Sequence, residues 1–258
     1  MMLQVSHLRK AFGGVQAVDD VSFELPSGTL LALIGPNGAG KSTCFNLING
    51  QLRPDSGEVL LDGQRISGMP ARAIAHLGVG RTFQVPAVFG SLTVLENVQI
   101  ALAAHARHIY RWWRQLSGQY REEALGLLAQ VGMQEQADRV ASVLAYGDVK
   151  RLELAMALSG RPKVLLMDEP TAGMAMAERH QIMNLTRELV TRHNLAVLFT
   201  EHSLDVVFTH ADRVVVMARG RIIASGSPEA IHQDPLVREV YLGGAPVPSA
   251  PPPAPSSS

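Results

Sequence analysis

Four short apolar runs punctuate the chain: Thr29 to Ile34 (TLLALI), Lys163 to Met167 (KVLLM), Leu195 to Thr200 (LAVLFT) and Arg213 to Met217 (RVVVM). Each is nearly continuous, bounded by glycine or charge, and separated from the next by helix-period stretches. That is the pattern of strands buried on both faces of a mainly parallel sheet, and it predicts an α/β core. VSFELPSG and SGEVLLDGQRIS instead alternate apolar with polar residues, and the second holds the turn dipeptide Asp62-Gly63. A small antiparallel layer is therefore expected beside the core. From about Leu92 to Gly160 the spacing becomes helical, as in TVLENVQIALAAHA and YREEALGLLAQVG, which predicts a helical insert between the sheet-forming halves.

Composition narrows the partners. At 258 residues and 27.8 kDa the chain can bury a substantial core. Lys plus Arg equals Asp plus Glu at 23 each, so no overall field draws it to nucleic acid or an acidic surface. The lone cysteine, Cys44, excludes an internal disulfide, fits a reducing compartment and is read as a small core residue. No apolar run approaches the roughly 18 to 20 residues of a membrane span, and the start, MMLQVSHLRK, lacks the apolar segment of a signal peptide. The expectation is a chain that does not cross a membrane by itself. Residues 244–258, ending APVPSAPPPAPSSS, are expected to form a disordered Pro/Ala/Ser-rich tail.

The strongest local signal is Gly35-Pro36-Asn37-Gly38-Ala39-Gly40-Lys41-Ser42-Thr43, which matches G-x-x-x-x-G-K-[ST] between the strand TLLALI and the helical CFNLING. Its glycines let consecutive backbone N–H groups curl around phosphate oxygens, and the helix N-terminus adds partial positive charge. Lys41 is placed to reach the β- and γ-phosphates, Ser42 to ligate Mg²⁺, and Thr43 to add a hydroxyl donor. Hydrolysis also needs a carboxylate for the metal and a base for water. Val164-Leu-Leu-Met-Asp168-Glu169 supplies both at a strand end, with Asp168 assigned to the metal and Glu169 to the nucleophilic water.

These motifs, with Arg81-Thr-Phe-Gln84, LAYGD at Leu144 to Asp148 and Thr200-Glu-His202, resemble the ATP-binding cassette (ABC) family in type and order over roughly residues 3 to 243. The resemblance implies a P-loop NTPase (RecA-like) core with a flanking antiparallel β subdomain. An ABC-specific helical subdomain at about 90–160 would be inserted in a domain spanning 1–243. It also implies two cassettes paired head to tail, each ATP lying between one subunit's phosphate loop and the other's LAYGD segment. By position, Phe12 resembles the aromatic that stacks on adenine. Gln84 resembles the loop glutamine that approaches Mg²⁺ and the attacking water, and His202 the switch histidine of the γ-phosphate. The segment LSGQ at Leu116 to Gln119 superficially looks closer to the family motif. It is one glycine short and lies about 50 residues before Asp168, whereas Gly147 lies about 20 before it, as the family pattern requires.

LAYGD departs from that pattern. Gly147 permits close backbone approach at a helix start, but Tyr146 and Asp148 replace the usual Gly and Gln. A carboxylate in a first helical turn stabilises the helix by about 0.3 to 1 kcal/mol. Two unit charges about 5 Å apart at an effective dielectric near 20 repel by roughly 3 kcal/mol. Asp148 must therefore point away from an incoming phosphate, be offset by a cation, or oppose closure, and pointing away is the favoured arrangement. Ala175 stands where the family carries Asp or Asn, so a polar contact across the dimer is expected to be lost.

LAYGDVKRLELAMAL, DEPTAGM, TEHSLDVVF and REVYLGG most resemble the ATPase subunits of branched-chain amino-acid importers, with urea importers next. The resemblance implies a peripheral subunit on the cytoplasmic face of the inner membrane. Its expected partners are a second cassette, two permeases and, indirectly, a solute-binding protein, with no nucleic acid. Two rival functions fit the same sequence. A soluble ATPase acting on nucleic acid could use Arg107 to Arg114 (RHIYRWWR), and a non-hydrolysing structural cassette would be allowed by Asp148 and Ala175.

Overall fold

The computed structural model describes residues 2–82, 87–105 and 120–242. In chain order the elements are β1 (Met2–Phe12), β2 (Val15–Pro26), β3 (Leu30–Ile34), α1 (Lys41–Ile48), β4 (Ser56–Leu61), β5 (Gln64–Arg65), α2 (Ala71–His76) and β6 (Val79–Thr82). The helices α3 (Val94–His105), α4 (Arg121–Gln130) and α5 (Tyr146–Leu158) follow, with 3-10 turns at Gln134–Gln136 and Ala141–Val143 before the last. The chain then returns to β7 (Val164–Asp168), α6 (Met176–His193), β8 (Ala196–Thr200), α7 (Leu204–His210), β9 (Arg213–Ala218), β10 (Arg221–Gly226), α8 (Pro228–Gln233) and α9 (Pro235–Leu242).

The four apolar runs become β3, β7, β8 and β9 of a six-stranded sheet ordered β10-β9-β3-β8-β7-β6, in which only β10 runs antiparallel to its neighbour. Alternate residues of these strands enter different cores, as the two-residue pleat requires. Leu30, Ala32 and Ile34 join Leu165, Met167, Val197 and Phe199 in a cluster shared with the helices α3 to α7. Leu31 and Leu33 join Val164, Leu166, Ala196 and Leu198 in a second cluster with Phe45 of α1 and the second sheet. Burial on both faces is why these runs lack the alternation of a surface strand.

The second sheet is antiparallel, ordered β2-β1-β4-β5, as the alternating stretches predict. Its strand β1 comes from the N-terminal segment. Between the sheet halves lies the helical insert. Helix α3 opens with a reciprocal cap: Glu96 N–H donates to Thr93 Oγ1 at 3.2 Å, and Thr93 N–H donates to Glu96 Oε2 at 2.7 Å. One turn on, the buried Asn97 side chain bonds both the N–H and the C=O of Phe89, fastening the strand-to-helix connection.

Candidate nucleotide site

Three chain segments that carry the predicted chemistry leave the carboxyl ends of β3, β8 and β7, which lie side by side in the sheet. Open parallel sheets place ligands at such strand ends. The loop after β3 turns into α1 at Gly40, whose φ of 103° is left-handed. A Cβ there would sit 2.2 Å from the Ala17 carbonyl oxygen, so only glycine lets the loop close against β2. Lys41 is buried, and its Nζ donates to the carbonyls of Gly35 at 2.7 Å and Pro36 at 3.2 Å. Burial pulls its pKa down, and the nearby carboxylates Glu169 and Asp168 oppose that shift. Ser42 is exposed at the mouth of the loop. Cys44 is buried beneath it with its thiol pushed up to about 12, a core residue rather than a nucleophile.

Asp168 ends β7 directly opposite Thr200 of β8. Its Oδ1 accepts from Thr200 Oγ1 at 2.8 Å, and its Oδ2 pairs with Arg81 at 3.1 Å. Arg81 also donates to Asn46 and Gln51, so β6, α1 and β7 meet at one guanidinium. Glu169 follows in a left-handed conformation, φ 48°, with its N–H donating to Thr200 Oγ1 at 3.1 Å. That backbone costs on the order of 1 kcal/mol and aims the carboxylate away from the sheet. Its Oε1 lies 2.8 Å from His202 Nε2.

A residue that motif reading passed over holds this arrangement together. Glu201, 3 % exposed, accepts from Thr171 N–H at 2.8 Å and Thr171 Oγ1 at 2.7 Å through one oxygen, and from His202 N–H at 3.3 Å through the other. It joins the turn after Glu169 to the segment that carries His202. Its only sequence signal was its place between Thr200 and His202.

Phe12, at the end of β1, is 46 % exposed with Lys10 Nζ 5.6 Å from its ring centre, an apolar face open to stacking. The LAYGD segment starts α5 at Tyr146, after Ala145 in extended conformation. Gly147 sits in the first turn, and Tyr146 is 42 % exposed. Asp148 turns aside: its Oδ2 accepts from Gln136 Nε2 at 3.3 Å, on the 3-10 turn Gln134–Gln136. Behind this start, Leu152 and Ala155 are buried while Val149 and Met156 are half-buried, so the expected apolar face is present. Ala175 precedes α6 and offers no side-chain oxygen, leaving Glu178 Oε2 to accept the Ala175 N–H at 3.3 Å. Gln84, the segment Arg107 to Arg114, LSGQ and the tail lie outside the described residues.

A cavity of about 300 Å³ lies between the core and the helical insert, lined among others by Arg81, Thr82, Ala87, His105 and Glu153. Glu153 of α5 spans its wall: it accepts from Lys150 at 2.9 Å and from the Ala87 N–H at 3.4 Å. Among the described residues there is no cluster of three His, Cys, Asp or Glu side chains that could hold a metal ion. Any metal here would depend on isolated oxygen donors, Ser42 and Asp168, completed by phosphate oxygens.

Comparison with known proteins agrees with the geometry. The family described as ABC transporter matches residues 18–172, and that described as branched-chain amino acid ATP-binding cassette transporter matches residues 221–246. The chain is 38% identical over 251 residues to the high-affinity branched-chain amino acid transport ATP-binding protein LivG of Escherichia coli, covering 95% of this chain and 98% of that one. It is equally similar, at 38%, to BraF of Pseudomonas aeruginosa, which carries the same description. Among solved structures, a nucleotide-free ATP-binding cassette from an ABC transporter superposes with a TM-score of 0.85 at 34% identity over 93% of this chain and 98% of that one. A cassette in its ADP conformation gives 0.84 at 33%, over 94% and 98%. The P-loop core with its antiparallel flank and helical insert is thus the fold of this chain, and the chain belongs to the ABC transporter family of ATP-binding cassettes.

Proposed function

We propose that this chain is the ATP-hydrolysing subunit of a membrane importer for branched-chain amino acids. The observation that carries the hydrolytic part is the Glu169–His202 contact of 2.8 Å, held beside the Lys41 loop by strands in fixed register. Glu169 would accept a proton from the attacking water, and His202, whose Nε2 here bonds that carboxylate, would turn to the terminal phosphate once nucleotide is bound. Phe12 would stack on adenine, and the loop from Gly35 to Gly40, through the backbone N–H groups of its residues other than Pro36, would hold the phosphates with Lys41 and Thr43. Ser42, Asp168 and Gln84 would hold Mg²⁺, a hard cation suited to such oxygen donors, which when bound neutralises phosphate charge. Tyr146, Gly147 and Asp148 would meet the nucleotide of a second cassette. The sideways bond of Asp148 to Gln136 supports the reading that its charge is kept off that phosphate.

The likeness to LivG and BraF supports branched-chain amino acids as the imported solutes. It also supports a second cassette and two permeases as partners, a solute-binding protein acting through them, and a peripheral place on the cytoplasmic face of the inner membrane. No described helix is long and apolar enough to cross a membrane. The cavity beside Arg81 and Glu153 suits a permease helix end, because it adjoins both the core and the insert.

The test is ATPase and uptake measurement on the complex purified from membranes, with Glu169→Gln as control. Leucine-stimulated hydrolysis that falls at least about a hundredfold in the variant is expected. Wild-type turnover unaffected by Glu169→Gln would refute the hydrolytic assignment, and stimulation by urea but not leucine would refute the solute.

A further inference from the structure

A chain of ring nitrogens joins α6, the helix after the catalytic turn, to α7, the helix after the switch histidine. His180 Nε2 lies 3.0 Å from Asp205 Oδ2, and His180 Nδ1 lies 2.9 Å from His210 Nε2. The carboxylate only accepts, so His180 Nε2 carries a proton. With His180 neutral, its Nδ1 accepts from the N–H of His210. Donor and acceptor roles along the line from Asp205 to His210 are then fixed.

A second fastening lies two turns along α6. Arg187 donates to the His210 carbonyl and to Asp212 Oδ2 at 2.8 Å, and the same Asp212 oxygen accepts the Leu30 N–H at 2.7 Å. The groups facing His210 are therefore His180 and Arg187 of α6 and Asp205 of its own helix. Burial foremost, with the Arg187 guanidinium adding positive field, lowers its pKa to about 4, which keeps it in the neutral form the line requires.

The ends of these helices explain why the fastening matters. Helix α6 begins at Met176, just past the turn that carries Glu169, and α7 begins at Leu204, two residues after His202. Apolar packing between two helices tolerates small slides, whereas hydrogen bonds at both ends of one ring do not.

We propose that His180 is a positioning residue for ATP hydrolysis: by bridging Asp205 and His210 it fixes α6 against α7 and so sets the approach of His202 to Glu169. The inference rests on the hydrolytic reading above.

The test is steady-state ATPase kinetics of the membrane complex. His180→Ala is expected to lower kcat about tenfold while KM for ATP stays within about twofold, because the reacting groups are displaced and the phosphate loop is not. His180→Gln should recover most of the rate, since its amide can donate to Asp205 and accept from His210. Asp205→Ala, at an exposed position, should slow turnover in the same direction and add nothing to His180→Ala. Wild-type kcat in His180→Ala, a Gln variant as slow as Ala, or additive losses would each overturn the inference. Should His180→Ala not fold, His180→Gln and Asp205→Ala decide between the same outcomes. Activity that needs Glu169 but ignores His180 defeats this inference alone, whereas activity indifferent to Glu169 defeats the reading beneath it.

Discussion

Replacing Glu201 by alanine removes an acceptor on which three donors converge. Thr171 is 1 % exposed, so its N–H and hydroxyl, now bonded at 2.8 and 2.7 Å, have no route to bulk water when Glu201 is truncated. An orphaned buried donor costs about 1 to 3 kcal/mol, which gives about 2 to 6 kcal/mol for the pair. The third donor, His202 N–H at 3.3 Å, is a weak bond beside an exposed side chain and adds little. Glu201→Gln has a different expectation. Its carbonyl oxygen can keep both Thr171 bonds while its NH₂ group faces the His202 N–H, donor against donor, for a loss of about 1 kcal/mol. Urea unfolding of the two variants measures the difference directly. The alanine variant should be less stable than the glutamine variant by about 1 to 5 kcal/mol, with turnover falling in the same order because both tethered segments carry residues of the proposed hydrolytic site. An alanine variant as stable as the glutamine variant would refute the claim that Glu201 acts as a buried acceptor.

Asp148→Gln should change stability by less than about 1 kcal/mol and ATP affinity of the complex by less than about threefold, because the carboxylate already bonds Gln136 rather than facing phosphate. A tenfold gain in affinity, read by nucleotide titration, would show that its charge does oppose closure. Stability should also depend on pH through His210, whose folded pKa of about 4 lies below its ordinary 6.5. Below about 6.5 the unfolded chain takes up the proton first, so stability falls as pH drops from about 6.5 toward 4, by up to about 3 kcal/mol, and levels off below. Denaturant titrations across that range should show this slope, and His210→Gln should remove most of it.

The parts of this molecule that could be read from its sequence are those whose cause is local. Runs such as TLLALI announce β3 because both faces are buried, and the glycine spacing around Lys41 announces the loop because the backbone there tolerates little else. Strand β6 is only four residues with a central glycine, and it becomes a strand through its parallel register with β7, information held elsewhere in the chain. Strand β1 mixes Leu3, Val5 and Leu8 with charged residues and irregular pairing, so its alternation is blurred. At the site, Glu169 and His202 were assigned from motif position, but their direct contact depends on neighbouring strand ends. The pairing of Asp168 with Arg81, 87 residues earlier, and the burial of Glu201 are likewise products of tertiary structure. His180 was invisible as a lone histidine on a polar helix until α7 lay beside it.

The Arg81–Asp168 pair and the parked Lys41 ammonium together bear on how such a site fills. Each charge that a magnesium nucleotide would engage already has a protein partner, so loading is a trade of partners rather than capture by bare charges. A trade gains less net Coulomb energy and responds less to ionic strength, which leaves the shape of the glycine loop to govern affinity. Arg81, the partner of Asp168, also lines the cavity beneath the helical insert, so a nucleotide that engaged Asp168 would alter the charge balance in that cavity's wall.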